Sequence, residues 1–207
     1  MRENGGHAST RAKNAAMKTT AGSVRIIGGH WRGTKLPVPE VEGLRPSADR
    51  VRETVFNWLQ PVLPGARVLD LFAGSGAFGL EAVSRGAAEA HLVERDPRAC
   101  EALRASVARL KAGDSVHVHQ ADALAWLRAP LHGRFDVVFV DPPFAAGLWG
   151  AVLASLDPWL ARDAWLYLES PADAPASPGA SGWTLHREGR TREARYALFR
   201  RLNAGPD

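Results

Sequence analysis

The chain has 207 residues, of which 26 are Lys or Arg and 22 are Asp or Glu, and its formal net charge is +4. This length allows one large domain with an appendage and a proper hydrophobic core. A single cysteine, Cys100, excludes an intramolecular disulfide and a cysteine zinc site, and the seven histidines show neither H-x-x-x-H nor H-E-x-x-H spacing, so we predict no metal site. No apolar run approaches a membrane span and nothing resembles a secretory signal, which predicts a cytoplasmic protein.

The positive charge is concentrated at the front of the chain. Residues 1–60 hold 10 Lys or Arg and 5 Asp or Glu, whereas the remaining residues hold 16 and 17. This asymmetry predicts a polyanionic partner that is bound by the N-terminal part. Residues 1–22 are rich in Gly, Ala, Ser and Thr, so we predict a disordered, solvated tail, with Met17 as an alternative start.

Short apolar runs lie on both sides of Gly28 and Gly29, which predicts a β-hairpin within an N-terminal extension of residues 23–46. Arginine and aromatic side chains on a small hairpin suit an RNA clamp, because they neutralise phosphates and stack on unpaired bases. The candidate nucleic-acid-binding residues of the extension are Arg25, His30, Trp31, Arg32, Lys35 and Arg45.

A helix is predicted over residues 47–59, with Ser47 as its N-cap and Pro61 beyond its end. Its apolar residues share one face, and Arg50 and Arg52 fall elsewhere on the helix. These two arginines either contact the nucleic acid or are solvated, and the sequence favours neither role.

A short apolar strand is followed by a glycine-rich turn in which Gly74, Gly76 and Gly79 match the G-x-G-x-x-G pattern of dinucleotide-binding loops. That pattern alone is a weak signal. Asp70, at the end of the strand, is more informative, because a carboxylate would repel a pyrophosphate bound at this turn. S-adenosylmethionine has no phosphate and carries a sulfonium and an ammonium group, so we predict this ligand in preference to NAD.

Two further acidic residues belong to the same predicted site. Glu94, after the next strand, suits the ribose hydroxyls of the ligand. Asp122 suits the adenine amino group, although it is also a natural N-cap for the following helix, and both roles are compatible. The predicted cofactor-binding residues are Asp70, Phe72, Gly74, Gly76, Glu94, Asp122 and Ala123.

The apolar run over residues 135–140 predicts a buried strand, and Asp141-Pro142-Pro143-Phe144 follows it directly. Two prolines cannot continue a strand, so the chain must turn at its carboxyl end, where open α/β sheets bind ligands. A carboxylate, carbonyl groups and an aromatic ring are thereby held on one stiff turn, a set suited to a planar base with an exocyclic amino group. The alternative is a proline-capped strand with a core phenylalanine. We predict that these four residues are catalytic.

Strands are predicted near 66–72, 89–94, 115–120, 134–140 and 164–169, and helices near 76–85, 97–112, 122–128 and 147–160. Two further strands with no helix between them follow near 183–188 and 194–200. The predicted fold class is therefore α/β, a Rossmann-like class I methyltransferase domain over residues 47–207. Its mostly parallel seven-stranded sheet has an antiparallel C-terminal edge hairpin, and the small N-terminal β-hairpin extension precedes it.

In their order along the chain, residues 25–33, 44–46, 49–53, 56–59, 70–76 and 139–144 resemble the bacterial small-subunit ribosomal RNA guanine-N2 methyltransferase D family. The similarity spans roughly residues 24–202. It implies methyl transfer from S-adenosylmethionine to N2 of one guanine, position 966, of 16S ribosomal RNA. It also implies that Asp70, Gly74, Gly76, Glu94 and Asp122 bind the donor and that residues 141–144 hold the base. The expected partner is 16S RNA within the small subunit, bound by a monomer that contacts no membrane.

Three alternatives stay open at this point. A DNA amino-methyltransferase acting on adenine N6 or cytosine N4 would use the same Asp-Pro-Pro-Phe turn, but the chain lacks an obvious DNA target-recognition domain. An NAD-dependent oxidoreductase would share the glycine pattern, although Asp70 argues against it. A non-catalytic RNA-binding factor would not need residues 141–144.

Overall fold

The computed structural model describes residues 22–38, 49–129, 133–179 and 182–201, so residues 1–21 of the predicted tail, Arg45 and Ser47 lie outside the described residues. The strands are β1 (Gly22–Arg25), β2 (Lys35–Val38), β3 (Arg67–Asp70), β4 (Glu89–Glu94), β5 (Val116–Gln120), β6 (Phe135–Val140), β7 (Leu160–Pro171), β8 (Trp183–Arg190) and β9 (Ala194–Arg201). The helices are α1 (Asp49–Leu59), α2 (Ala77–Ser84), α3 (Pro97–Leu110), α4 (Ala123–Leu127) and α5 (Trp149–Ser155). None of these helices has the length and apolar character needed to cross a bilayer.

Seven of the strands form one sheet in the order β5-β4-β3-β6-β7-β9-β8. The first five strands in this order, β5, β4, β3, β6 and β7, run parallel, and β9 pairs antiparallel with both β7 and β8. β1 and β2 form a separate antiparallel pair whose turn contains Gly28 and Gly29. The predicted fold class, including both hairpins, is confirmed.

The helix predicted over 147–160 is wrong at both ends. α5 covers only Trp149–Ser155, and a 3₁₀ turn (Asp157–Trp159) separates it from β7. Pro158 has no N–H to donate and cannot extend the α-helix, which explains the break. β7 consequently begins at Leu160, four residues before the predicted strand.

The sheet is covered on both faces, so its central strands are apolar throughout rather than alternating. On one face, Val137 and Phe139 of β6 pack with Ile26, with Leu36 of β2 and with helices α1 to α3. On the other face, Val138 and Val140 pack with α4 and α5. Because both faces of the sheet are covered, the ends of the parallel strands are the accessible parts of the sheet. Open α/β sheets bind ligands at the carboxyl ends of their strands.

Candidate active site and nucleic-acid surface

Three acidic residues lie side by side where neighbouring parallel strands end. β3 pairs with β4 on one side and with β6 on the other, and Asp70 is in register with Leu92 and Phe139. Glu94 ends β4, and Asp141 follows β6 directly. The sheet order therefore puts the predicted donor-binding loop and the predicted base-binding turn next to each other.

The glycine loop after β3 adopts a conformation that needs its glycines. Gly74 and Gly76 have φ values of 52° and 77° in the left-handed region, and Gly76 is the N-cap of α2. A Cβ on Gly79 would lie 2.0 Å from Leu92 Cδ2, so α2 packs against β4 only because that residue is glycine. The loop and the helix are thus held close to the ends of β3 and β4.

Asp70 is a buried carboxylate whose bonds come from the backbone. Its Oδ2 accepts a hydrogen bond from the Gly79 N–H at 3.2 Å, and its side chain is almost inaccessible to solvent. Burial raises the pKa of Asp70 from 3.8 to about 7, although the backbone N–H groups of Gly79 and Phe72 oppose this rise. No basic side chain in the described part of the chain pairs with it. A cationic ligand such as an ammonium group fits this uncompensated position.

Glu94 links the glycine loop to the start of α3. Its Oε2 accepts from the Gly74 N–H at 2.9 Å, and its Oε1 accepts from the Asp96 N–H at 2.8 Å. Each carboxylate oxygen has a second lone pair, so these bonds orient Glu94 and leave acceptor capacity for hydroxyl groups. The predicted ribose contact is compatible with this geometry and stays a prediction.

Of the remaining predicted donor-site residues, Asp122 and Ala123 lie at the start of α4, and Phe72 lies in the loop after β3. The exposed Asp122 caps this helix, because its Oδ1 accepts from the Ala125 N–H at 3.0 Å, which confirms the predicted capping role. Ala123 is buried beneath it, and Phe72 is half-buried against the same apolar cluster. The adenine contact of Asp122 is not tested by these bonds.

The Asp141-Pro142-Pro143-Phe144 segment turns sharply away from the sheet. Pro142 is buried, and a 3₁₀ turn (Phe144–Ala146) follows. Phe144 is 36% exposed, which contradicts the alternative that it is a core residue. An exposed ring on a proline-stiffened turn is available to stack on a ligand.

Sequence reasoning missed Trp149, at the start of α5. Its ring centroid is 5.9 Å from that of Phe144, and its Nε1 donates to the Glu169 carbonyl at 2.8 Å. The only signal in the sequence was an aromatic residue soon after the turn. The structure shows that Trp149 widens the aromatic surface beside Asp141.

Tyr167 and Glu169 lie on β7, next to the strand that carries Asp141. The buried Tyr167 hydroxyl donates to Glu169 Oε2 at 2.7 Å. Burial, and then the charges of Glu169 and Asp141, raise the pKa of Tyr167 well above its usual value. The hydroxyl therefore stays protonated and serves as a fixed donor behind the turn.

The hairpin places Arg25, Arg32 and Lys35 at the surface, as a nucleic-acid contact requires. His30 and Trp31 are partly used by the fold, because His30 Nδ1 lies 2.9 Å from the Ser84 carbonyl and Trp31 packs against the core. Arg50 on α1 is exposed, and its proposed RNA contact stays a prediction.

The prediction that Arg52 is solvated or contacts nucleic acid is wrong. Its side chain is fully buried, and its guanidinium donates to Glu81 Oε2 at 3.0 Å, to Asp49 Oδ1 at 2.7 Å and to the Arg25 carbonyl at 2.8 Å. Glu81 of α2 also pairs with Arg85 and accepts from the Gly28 N–H at 3.1 Å. Arg52 therefore links the hairpin to α1 and α2. The prediction was wrong because it assumed that a charged residue outside the apolar face of a helix is solvated.

Residues 24–200 of the chain match the family described as Conserved hypothetical protein 95. Ribosomal RNA small subunit methyltransferase D of Escherichia coli strain K12 is 47% identical over 187 residues, which cover 89% of this chain and 93% of that protein. The protein of the same name from Haemophilus influenzae is 41% identical over 182 residues, 86% of this chain and 94% of that one. The chain belongs to this methyltransferase family.

Solved structures agree with the family assignment. A putative methyltransferase, yhhF, from Escherichia coli superposes with a TM-score of 0.77 at 46% identity and covers 88% of this chain and 99% of its own. A putative methylase, HI0767, from Haemophilus influenzae gives a TM-score of 0.76 at 38% identity, covering 88% and 100%. Membership of the family confirms S-adenosylmethionine as the cofactor and argues against the NAD-dependent oxidoreductase alternative.

Proposed function

We propose that the protein transfers a methyl group from S-adenosylmethionine to the exocyclic N2 of a guanine, position 966, in 16S ribosomal RNA of the small subunit. The observation that supports this most is the adjacency of the Asp141 turn and the glycine loop at neighbouring strand ends. A base held at the first would lie against a donor held at the second. The names of the relatives from Escherichia coli and Haemophilus influenzae support small-subunit ribosomal RNA as the substrate.

The donor site uses charge and hydrogen-bond geometry to select its ligand. S-adenosylmethionine supplies an electrophilic methyl group when it is bound. Asp70 is the partner for its ammonium, because a buried carboxylate gains most from a cation where no basic side chain compensates it. Glu94 accepts from the ribose hydroxyls, and Asp122 and Ala123 border the adenine.

The base-binding turn orients a weak nucleophile. The lone pair of guanine N2 is delocalised into the ring, so its direction must be set by the protein. The Asp141 carboxylate and the Pro142 carbonyl accept hydrogen bonds from the two amino hydrogens, which turns the lone pair toward the donor. Most of the rate gain then comes from positioning and electrostatics. Asp141 need not be a strong base, since the N2 proton becomes acidic only as the methyl bond forms.

Two aromatic side chains fix the plane of the base. Phe144 is exposed on the turn and stacks on the guanine, and Trp149 borders the same space with its indole held by the Glu169 carbonyl. A base can reach this surface only after it leaves its stack in the RNA, so a looped or bulged guanine is the expected substrate. The exposed cations of the hairpin, Arg25, Arg32 and Lys35, neutralise nearby phosphates.

The test is methyl transfer from labelled S-adenosylmethionine to small ribosomal subunits that lack this modification, followed by nucleoside analysis. Labelled N2-methylguanosine at position 966 is the expected product. Label in methyladenosine or methylcytidine would overturn the guanine assignment. Free 16S RNA and duplex DNA are the parallel substrates, and label in DNA alone would establish the DNA amino-methyltransferase alternative instead.

A further inference from the structure

One cluster of titratable side chains lies away from the proposed active site. Glu89 and His91 lie on one face of β4, because residues two apart in a strand point the same way, and His117 and His119 do so on β5. The parallel register pairs His91 with His117. Four polar groups that are up to 30 positions apart in the sequence are thereby brought to one patch. Glu89, His91 and His117 lie toward the amino ends of these strands, whereas the proposed donor and base sites lie at the carboxyl ends.

Three of these side chains present ligand atoms to a common point. His91 Nε2 lies 3.7 Å from Glu89 Oε1, and His117 Nε2 lies 3.8 Å from Glu89 Oε2. One ligand atom from each of the three residues lies within 4.8 Å of the others. Two ligands at zinc bond lengths of about 2.0–2.1 Å in a tetrahedral site are separated by about 3.4 Å. Side-chain shifts of about 1 Å or less would therefore close the cluster around an ion.

The neighbours of the cluster favour a ligating geometry. His91 Nδ1 lies 3.0 Å from His119 Nε2, so one of these nitrogens donates to the other. When His91 Nδ1 carries the proton, its Nε2 presents a lone pair toward Glu89. This matches the common arrangement in which a metal-bound imidazole donates its second N–H to a fixed acceptor. Arg67 Nε donates to Glu89 Oε1 and holds that carboxylate in place.

We propose that Glu89, His91 and His117 form a binding site for a divalent transition metal of the zinc class, with solvent in the remaining position. Two imidazoles and one carboxylate are a ligand set that zinc accepts. The His117 side chain is 40% exposed and the His91 side chain 9%, so an ion enters from the His117 side. A bound ion would join the edge strand β5 to β4 and resist the opening of that edge.

The proposed site runs against the sequence-based prediction of no metal, which nothing so far tests. That prediction relied on local spacing, such as H-x-x-x-H on a helix, and His91 and His117 are 26 positions apart. Their proximity comes from strand register alone. The alternative is that Glu89 serves only its ion pair with Arg67 and that the imidazoles only stack, with 4.8 Å between the His91 and His117 centroids.

Thermal unfolding of the chelator-treated full chain in zinc chloride tests the proposal. At a zinc concentration 100-fold above its Kd we expect the Tm to rise by about 5–10 °C. His117→Ala should remove most of this rise. The matched control is His186→Ala, because His186 is an exposed histidine on β8, remote in sequence from the cluster, and this variant should keep the rise. An equal rise in His117→Ala, or no rise in the wild type, would overturn the site.

A spectroscopic readout separates metal binding from a folding defect. Cobalt bound in a tetrahedral site of nitrogen and oxygen ligands gives visible absorption bands, which the wild type and His186→Ala should show and His117→Ala should lack. His117 lies outside the proposed methyltransferase machinery, so His117→Ala should fold and transfer methyl groups in the absence of metal as the wild type does. Cobalt bands of equal strength in all three proteins would place the metal elsewhere.

Discussion

Two buried carboxylates in neighbouring elements, Glu81 and Asp70, differ in whether basic side chains pair with them. Glu81, on α2, is fully buried and is compensated by Arg52 and Arg85 together with two backbone N–H groups of the hairpin. Asp70, on β3, is also buried, but backbone N–H groups alone oppose the rise of its pKa to about 7. A compensated carboxylate is part of the fold, whereas an uncompensated one is suited to a cationic ligand.

Burial also distinguishes two arginines of this region. Arg52 and Arg32 are both basic residues near the N-terminal hairpin, but Arg52 is consumed by the pairing with Glu81, and Arg32 is exposed. Charge type and position in the sequence are alike, and burial decides between a structural and a binding role. Variants that separate stability from binding and turnover therefore test this distinction directly.

The largest expected effect follows from Glu81→Ala. This change leaves two arginines without their buried partner, and removing one member of a buried ion pair lowers the free energy of unfolding by about 3–5 kcal/mol. Chemical denaturation measures the loss. The control is Glu101→Ala, an exposed glutamate on α3, which should change stability by less than about 0.5 kcal/mol. A small loss of stability in Glu81→Ala would mean that the pairing of Glu81 with Arg52 and Arg85 does not anchor the hairpin.

Asp141→Ala should lower the turnover of methyl transfer at least about a hundredfold, because it removes an oriented acceptor that acts mainly in the transition state. Donor affinity should change little, since Asp141 lies on the turn proposed to bind the base and not on the glycine loop. Single-turnover assays and donor titration measure the two quantities. Asp163→Ala, at an exposed position of β7, is the matched control. A rate near that of the wild type would end the catalytic assignment of this turn.

Asp70→Asn should have opposite effects on stability and on donor binding. From pH 3.8 to about 7 the folded protein retains a proton at Asp70 that the unfolded chain releases, so this carboxyl lowers stability as the pH rises across that window. The variant should be more stable than the wild type at pH 8, by up to about 4 kcal/mol, and nearly equal to it near pH 4. Its affinity for S-adenosylmethionine should fall at least about tenfold.

Denaturation at the two pH values and donor titration check this prediction. Unchanged donor affinity in Asp70→Asn would show that the uncompensated carboxylate does not bind the ammonium group. An equal difference in stability between Asp70→Asn and the wild type at pH 4 and at pH 8 would show that the charge of Asp70 does not cause that difference.

The smallest effect is expected at the hairpin surface. Arg32→Ala and Lys35→Ala should each reduce the slope of log K against log salt for RNA binding by about 0.7–0.9, because each removes one phosphate contact. Arg162→Ala, an exposed arginine at the start of β7, should leave the slope unchanged. If all three variants give the wild-type slope, the hairpin does not contact the phosphates.

Local patterns predicted the parts of the site that depend on neighbouring residues. Gly74, Gly76 and Asp70 form one turn, and Asp141 and Phe144 form another, so each turn could be recognised from a few consecutive residues. Trp149 could not be assigned, because its place beside Phe144 depends on the packing of α5 and on the Glu169 carbonyl. The end of α5 was also missed, although Pro158 signals it.

The sequence by itself determined the order of strands and helices, the two turns proposed to bind ligands and the basic character of the hairpin, because periodicity, proline, glycine and charge act over short distances. Tertiary structure alone decided which charges are buried. It paired Arg52 with Glu81 across 29 positions and brought His91 and His117 together through strand register. These contacts join distant segments, and their energies depend on desolvation, which a residue acquires only when the whole domain has packed around it.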